Sequence, residues 1–155
     1  MTTTEKILYK KTLLQKCVDI INERIEISLK AMENAQSSAN SEDKSSAGDK
    51  YETSRAMNHL EKDMYARQVE ANRVELAQLS GIDCSRTYET PVAGSIVQCA
   101  NTSFFVAAGL GKINFEGKEI YLLSPLALLA KSFAGNKKGM LVQFNNTEFR
   151  ITDIF

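Results

Sequence analysis

The feature that most restricts the fold is a seven-residue repeat of apolar residues between Glu5 and Met32. Two sets of residues recur at this interval, namely Val18, Ile25 and Met32 in one set and Ile7, Leu14 and Ile21 in the other. Such positions form one stripe along an α-helix and pack against a second helix. Lys11 and Ser28 also fall on the stripe and interrupt it. We therefore expect a long helix whose apolar stripe is covered by another helix.

A second helical pattern runs from about Asp49 to Leu79 and has the same period. Its apolar positions are Met57, Leu60, Met64, Ala71 and Val74, with Arg67 interrupting them. Gly81 follows the pattern, as expected for a residue that ends a helix. Two stripes of similar length joined by a short polar connector predict an antiparallel helical hairpin, with the stripes facing each other. Residues 36–48 would form the tip of this coiled-coil hairpin.

The composition changes after Gly81, where glycines become frequent and both prolines appear. Short runs rich in β-branched and aromatic residues predict strands, namely GSIVQCAN, TSFFVAAG, KEIYLLS, MLVQF and EFRITDI. The segment SPLALLAKSFAG predicts one helix, with Pro125 in its first turn and Gly135 at its end. The predicted class is α+β, with the hairpin over residues 1–83 and a small antiparallel sheet domain with one helix over residues 84–155.

The overall charge argues against direct binding to nucleic acid. The 155 residues include 19 Lys and Arg and 19 Asp and Glu, so no positive excess is available to neutralise phosphates. We expect no direct contact with DNA, and any nucleic acid would be reached through another protein. A signal peptide and a stretch of about 18 apolar residues are both lacking, which predicts a cytoplasmic protein without a membrane span.

Several chemistries need residues that the sequence does not bring together. Cys17, Cys84 and Cys99 are far apart and form no CxxC pair, so we expect them to be buried or half-buried free thiols. His59 is the only histidine and lies within a helical pattern, which disfavours nucleophilic catalysis by Ser or Cys. The glycines of AAGLGKINFEG lack the remaining features of a dinucleotide site and are better explained as turns. The chain is therefore expected to have no cofactor of its own.

Acidic residues cluster at the predicted tip. Glu42 and Asp43 are adjacent, and Asp49 follows them. Carboxylate oxygens are preferred ligands of Mg²⁺, which often binds through one or two protein carboxylates together with substrate phosphates. Asp49 could instead stabilise a helix N-terminus, and acidic residues are common in turns without any function. The residues alone leave both interpretations open.

Two segments carry a resemblance to a known family. YLLSPLALLAKSFAGNKKGMLVQF, followed by EFRITDIF, is similar to the C-terminal stretch of the bacterial Gre transcript-cleavage factors, with Ser124, Pro125 and Leu126 matching its best-defined part. KSSAGDKYETSR is similar to the Gre segment G-D-x-S-E-N-A-E-Y-x-x-A-K, in which Tyr51 and Arg55 take the tyrosine and the basic position. The resemblance spans nearly the whole chain.

The resemblance implies an FKBP-like C-terminal domain that binds RNA polymerase and a hairpin that enters the polymerase secondary channel. The tip carboxylates would then help to hold a Mg²⁺ ion, so that the polymerase cleaves backtracked RNA, and contact with the nascent RNA would be indirect. In this role Tyr51, Arg55, Ser124 and Pro125 would contact the partner. Glu42 and Asp43 would be the catalytic acids and would share the Mg²⁺ ion with Asp49.

The tip departs from the family pattern at its two acidic positions. In the register set by Tyr51, Lys44 and Ala47 occupy the positions of the family's aspartate and glutamate. Lys44 would repel the cation that carboxylates attract. The catalytic role of Glu42 and Asp43 therefore depends on the polar tip bringing them into place.

Three alternatives remain beside a cleavage factor. The protein could modulate or inhibit elongation by occupying the channel, without stimulating cleavage. It could be a structural or interaction protein with the same architecture that no longer acts on polymerase. Proline isomerisation is disfavoured, since the aromatic residues of the sheet are better explained as core. Because Lys11, Ser28 and Arg67 interrupt the stripes, a monomer is expected rather than a long stable dimer.

Overall fold

The fold was determined from a computed structural model that describes residues 1–42 and 48–155, without the side chains of residues 39, 41, 42 and 48–51. Its class is α+β, in which a long N-terminal helical region is followed by a mixed sheet that has six strands within the described residues. The elements in chain order are α1 (Thr3–Glu42), α2 (Gly48–Ser80), β1 (Ile96–Cys99), β2 (Ser103–Val106), β3 (Gly111–Phe115), β4 (Lys118–Leu123), α3 (Leu128–Phe133), β5 (Leu141–Phe144) and β6 (Thr147–Ile154).

Helix α1 begins with a capping box. The Glu5 backbone N–H donates to Thr2 Oγ1 at 3.2 Å, and the Thr2 N–H donates to the Glu5 carboxylate at 2.6 Å, so two N-terminal donors are satisfied reciprocally. These hydrogen bonds lower the pKa of Glu5. The helix extends beyond Met32 to Glu42, so half of the segment predicted as a tip is helical. Residues 33–42 contain no glycine or proline, so the strongest helix breakers are lacking, although their serines and asparagines favour a helix only weakly.

The apolar stripe predicted for α1 is buried only in part. Ile21 is fully buried and Ser28 is also buried, whereas Lys11 is exposed. Other stripe residues are half-buried, namely Ile7, Leu14, Val18, Ile25 and Met32. Leu13 and Cys17, which lie beside the predicted stripe, are fully buried. The buried face of α1 is therefore rotated slightly from the one predicted.

The prediction that the apolar stripe of α2 faces α1 is wrong. Met57, Leu60, Met64 and Val74 are exposed, and so is Ala71. The buried or half-buried face of α2 carries polar or small side chains at Ser54, Asn58, Lys62, Ala66, Asn72 and Glu75, and larger side chains at Tyr65, Val69 and Leu76. Hydrogen bonds link the helices, and among the described residues they include those from Ser28 Oγ to Gln68 Oε1 at 3.4 Å and from Lys62 Nζ to Gln36 Oε1 at 2.8 Å. The buried surface of the helical unit therefore combines these polar contacts with buried apolar residues, namely Ile21, Ala35 and Val69.

The strand order of the sheet is β3-β4-β2-β1-β6-β5. The pairing of β2 with β4 is parallel, whereas the other described pairings are antiparallel, so the prediction of a purely antiparallel sheet is wrong. In the chain, β3 lies between β2 and β4. The chain reverses direction at the turn of Glu116 and Gly117, so β4 pairs antiparallel with β3 and can pair in parallel with β2. Strand β3 was not expected, because it is a largely exposed edge strand between glycines.

Aromatic side chains form the centre of the sheet core. Phe133 of α3 is fully buried, and its ring centroid lies 5.2 Å from that of Phe104 and 5.8 Å from that of Phe149. Val97, Val142 and other apolar residues surround this group. Such aromatic pairs add stabilisation beyond the burial of their area. The short α3 is thus attached to the sheet mainly through Phe133.

The start of α3 differs from the prediction. Pro125 precedes the helix, which begins only at Leu128. The Leu126 N–H donates to Ser124 Oγ at 3.1 Å, and the Ala127 N–H donates to the Ser124 carbonyl at 3.0 Å. These bonds make residues 124–127 a turn, because the serine side chain competes with the helical pattern. Gly135 follows the helix with a φ of 78°, which agrees with its predicted position at the helix end.

The chain divides into two compact units, residues 1–18 together with 78–155 and residues 19–77. In the first unit, Lys6 Nζ forms an ion pair with Asp153 at 2.7 Å, and the Tyr9 ring centroid lies 5.2 Å from that of Phe115. The base of α1 is therefore part of the sheet unit. The boundary between residues 83 and 84 rests on the change in composition and stays a prediction.

Candidate functional site

The predicted acidic site falls largely outside the described residues. Asp43 lies between the two described ranges. Glu42 is the last residue of α1, while Asp49 and Tyr51 lie in the first turn of α2, and the side chains of these three residues are not described. Their proposed roles in catalysis, Mg²⁺ binding and partner contact stay predictions. Elsewhere among the described residues, no group of three or more His, Cys, Asp or Glu side chains could hold a metal ion.

Arg55, the basic residue of the same motif, is exposed on α2. It follows Tyr51 by four residues, so both residues lie on one side of the helix. The guanidinium group is therefore accessible to a partner, and planar bidentate hydrogen bonding suits it to carboxylates or phosphates.

Ser124 and Pro125 line an open groove of about 320 Å³ in the sheet unit. Leu126 of the same turn also lines the groove, and the other lining residues come from the end of α2 and the residues just after it, the segment before β1 and the residue after β2, namely Gln78, Gly81, Ile82, Ala93 and Ala107. Ala107 is buried, and its N–H donates to the Leu123 carbonyl at 2.8 Å, which ties this part of the groove to β4. The structure thus brings the two predicted residues together with groups that are distant in sequence.

Ser124 stabilises the turn that forms one side of this groove. Both its hydroxyl oxygen and its carbonyl accept hydrogen bonds from the two backbone N–H groups described above, on Leu126 and Ala127. The turn directs Leu126 outward, and Leu126 and Leu128 are each 72% exposed. An exposed apolar surface beside a groove of small side chains is typical of a site for another protein.

Sequence reasoning identified the SPL segment but missed Ile82, Ala93 and Ala107. No local pattern joins these residues, because they meet only through the sheet. The exposure of Leu126 and Leu128 did have a signal in the sequence. Residues 126–129 read LALL, and one face of a helix cannot bury consecutive positions, so some of these leucines must be exposed. In the structure, the buried residues of α3 are Ala130 and Phe133.

A buried lysine fixes the segment that leads into this groove. The Lys10 side chain is fully buried, its Nζ donates to the Arg86 carbonyl at 2.5 Å, and it lies 4.6 Å from the centre of the Tyr88 ring. The Tyr88 hydroxyl in turn donates to the Asp83 carbonyl at 2.8 Å. Burial lowers the pKa of Lys10, because the ammonium loses water, while the nearby acidic groups of Cys84 and Asp83 raise it in part. This cluster holds residues 83–88 against α1, which is a structural role.

All three cysteines are buried free thiols, as predicted. Burial raises the pKa of Cys84, and it raises the pKa of Cys99 to about 11. A thiol with a raised pKa has little thiolate at neutral pH and is a poor nucleophile. Neither of these two cysteines therefore has the environment of a reactive thiol.

Comparison with known proteins gives no relative, since no family model matches the sequence and neither a curated protein nor a solved structure matches the chain. Within the described residues, the helices include none that is both long enough and apolar enough to cross a membrane.

Proposed function

We propose that this chain is a Gre-like accessory factor of bacterial RNA polymerase. Its C-terminal domain binds the polymerase, and its helices form a coiled-coil hairpin that enters the secondary channel. The chain is a monomer that acts in the cytoplasm, and it reaches nascent RNA only through the enzyme. This proposal rests on the sequence resemblance, and the structure adds one observation in its favour.

The supporting observation is the direction of the two hydrogen bonds between the helices. Ser28 pairs with Gln68, whereas Gln36, further along α1, pairs with Lys62, which is earlier in α2. The residue number of the partner in α2 therefore decreases as the residue number in α1 increases, which is expected for antiparallel helices. In the sequence, Asp43 lies between the end of α1 and the start of α2, which is the position that the resemblance implies for the hairpin tip.

The sheet supplies the docking part of the proposal. A sheet with one short helix packed through Phe133 is compatible with an FKBP-like domain. The groove beside Ser124 and Pro125, together with exposed Leu126 and Leu128, is the surface that we propose for the polymerase. Apolar residues at the centre of an interface usually contribute most of its affinity.

In the proposed reaction the protein supplies carboxylates and the polymerase supplies the active site. Glu42 and Asp43, with Asp49 nearby in sequence, would help to hold a Mg²⁺ ion that is shared with the polymerase. A metal ion lowers the pKa of a bound water and so generates the attacking hydroxide. The chain is therefore not an enzyme by itself.

Lys44 and Ala47 favour a second function within the same partner class. A cation and a methyl group at the two acidic positions weaken the attraction for Mg²⁺. In that case the protein would occupy the channel and modulate elongation without stimulating cleavage. The exposed apolar face of α2 favours a different alternative, an interaction protein that has kept this architecture without acting on polymerase.

Transcript cleavage distinguishes these functions. A backtracked complex of the source organism's polymerase would be incubated with Mg²⁺ and the protein, and RNA length would be read on a gel. We expect shortened RNA with the native protein, and cleavage at the background rate with the Glu42→Ala, Asp43→Ala double variant. The Glu26→Ala, Glu33→Ala variant is the matched control, because it removes two exposed acids of α1 outside the tip. Background cleavage with every protein would exclude a cleavage factor.

Docking is measured separately by binding to core polymerase. Leu126→Asp with Leu128→Asp should weaken binding by about tenfold or more, since two exposed apolar contacts become charged. Leu8→Asp, which changes a similarly exposed leucine at another cavity, should leave binding unchanged. Absence of polymerase binding by the native protein would exclude both channel functions and leave the interaction protein.

A further inference from the structure

Helix α2 carries an apolar surface that no described part of the chain covers. We call it the α2 stripe, and it consists of Met57, Leu60, Met64, Ala71 and Val74. The four larger side chains are between 40% and 66% exposed. All five residues belong to the unit formed by residues 19–77. A row of this length is more than the scattered single apolar residues that are normal on surfaces.

The spacing of the stripe specifies the kind of partner. Its residues are separated alternately by three and four positions, with Arg67 completing the series between Met64 and Ala71. This is the a and d pattern of a coiled coil, in which each side chain packs into a hole formed by a facing helix. A sheet or a flat surface does not need such a repeat. The α2 stripe is therefore suited to a helix.

An open groove lies beside the α2 stripe and could accommodate side chains of a partner. Ala71 of the stripe and Ile27 of α1 line an open groove of about 330 Å³, together with Arg24, Ser28, Gln68 and Asn72. Ile27 is 61% exposed, so it extends the apolar surface across to α1. The small side chain at Ala71 leaves room for a larger one from a partner.

Charges beside the stripe are acidic on both edges. Asp63 and Glu70 directly precede Met64 and Ala71 and are exposed. Glu61 directly follows Leu60 and is exposed, and Glu75 follows Val74 and is half-buried. These are the e and g positions, whose charges determine partner choice in coiled coils. Arg67 lies within one turn of Asp63 and Glu70, so it offsets only part of their charge. On the α1 side, Arg24 is the cation that lines the groove.

The same charges argue against a second copy of the chain as the occupant. If two α2 helices paired in antiparallel orientation with their stripes aligned, Asp63 of each copy would oppose Glu70 of the other. In parallel orientation, Glu70 would oppose Glu75. Like charges at these positions destabilise a coiled coil in either case. A partner with Lys or Arg at the corresponding positions would instead form favourable pairs.

We propose that the α2 stripe binds a helix of another protein, one that has apolar residues at heptad spacing and Lys or Arg beside them. This site is distinct from the tip acids and from the groove at Ser124. It does not depend on polymerase binding, so either proposal can fail without the other.

The test uses three labelled synthetic peptides of about four heptads. The first has Leu at a and d and Lys at e and g. The second has the same Leu residues with Glu at e and g. The third has the composition of the first with the Leu positions scrambled. Binding to the full chain is followed by fluorescence anisotropy. We expect the first peptide to bind at least about tenfold more tightly than either control, with an affinity that falls as salt rises.

Two variants locate the binding surface. Leu60→Glu with Met64→Glu should weaken binding of the Lys-flanked peptide by at least about tenfold. Leu29→Glu is the matched control on α1, because Leu29 is 43% exposed and does not line the groove, and it should bind as the native chain does. Circular dichroism checks that each variant stays helical.

A charge-reversal variant tests the proposal by a gain of binding. Asp63→Lys with Glu70→Lys should shift the preference toward the Glu-flanked peptide. Equal binding of all three peptides, or none, would overturn the proposal. So would a homodimer, detected by sedimentation equilibrium, that Leu60→Glu dissociates, because a second copy would then be the occupant.

Discussion

The helical unit and the sheet unit place their apolar residues in opposite ways. In the sheet unit, Phe104 and Phe133 are buried and pack against each other. In the unit of residues 19–77, α2 exposes Leu60 and Met64, while polar atoms of Gln36 and Lys62 bond between the helices. The sheet is therefore stabilised mainly by burial, whereas the exposed face of α2 is available for binding. Buried apolar residues such as Phe133 serve stability, whereas exposed ones such as Leu60, as we propose, serve recognition.

The largest effect should come from the aromatic core. Phe133→Ala removes a fully buried ring and should lower the free energy of unfolding by about 3–5 kcal/mol. Leu128→Ala, in the same helix but 72% exposed, should change it by less than about 0.5 kcal/mol. Urea denaturation of both variants measures the difference. Similar costs would contradict the assignment of Phe133 as the attachment of α3.

A pair of substitutions in the helical unit tests the contrast directly. Ile21→Ala, at a fully buried position of α1, should cost about 2–4 kcal/mol. Leu60→Ala, at an exposed position of α2, should cost less than about 0.5 kcal/mol, since little area leaves the interior. If thermal and urea unfolding gave equal costs, the α2 stripe would be part of the core after all, and the proposed helix site would be lost.

A glycine pair tests how closely the sheet unit is packed around its backbone. Gly94 has a φ of 91°, and a Cβ there would lie 2.8 Å from the Asp83 carbonyl oxygen. Gly117 has a φ of 79° with open space around it. Gly117→Ala should cost about 1–2 kcal/mol for the left-handed conformation alone. Gly94→Ala should cost about 1 kcal/mol more, because backbone must also move. If chemical denaturation gave the two variants the same free energy of unfolding, a clash with the Asp83 carbonyl would contribute nothing to the cost of Gly94→Ala.

The smallest expected effect is on the pH dependence of stability. Burial raises the pKa of Cys99 from 9.0 to about 11. Above pH 9 the unfolded thiol ionises while the folded thiol keeps its proton, so this contribution is present below pH 9 and is lost between 9 and 11. Lys10 has the opposite effect, because its pKa is lower in the folded chain than in the unfolded chain. The folded chain therefore loses this proton first, and the free energy of unfolding rises as the pH increases from the folded pKa of Lys10 toward 10.5.

Comparing the native chain with Cys99→Ala isolates the thiol, since Lys10 is common to both. The stability advantage of the native chain should shrink as pH is raised above 9. A difference that stays constant across this range would show that Cys99 is not protected from ionisation.

Local patterns in the sequence predicted local structure well. Gly81 and Gly135 follow helices as expected, the long helices are present, and the cysteines are buried. The exposed edge strand β3 escaped prediction because GKINF shows weak alternation and is flanked by glycines. The turn at Ser124 also differed from prediction, since a serine hydroxyl that bonds backbone competes with helix formation.

The sequence by itself determined which residues of α2 form an apolar face, because helical periodicity depends only on the order of the residues. Only the tertiary structure decided that this face is exposed, because burial depends on which elements cover it. The groove at Ser124 has the same origin, since Ile82, Ala93 and Ala107 meet there only when the chain folds. Period is a property of one segment, whereas exposure and the shape of a site are properties of several segments packed together.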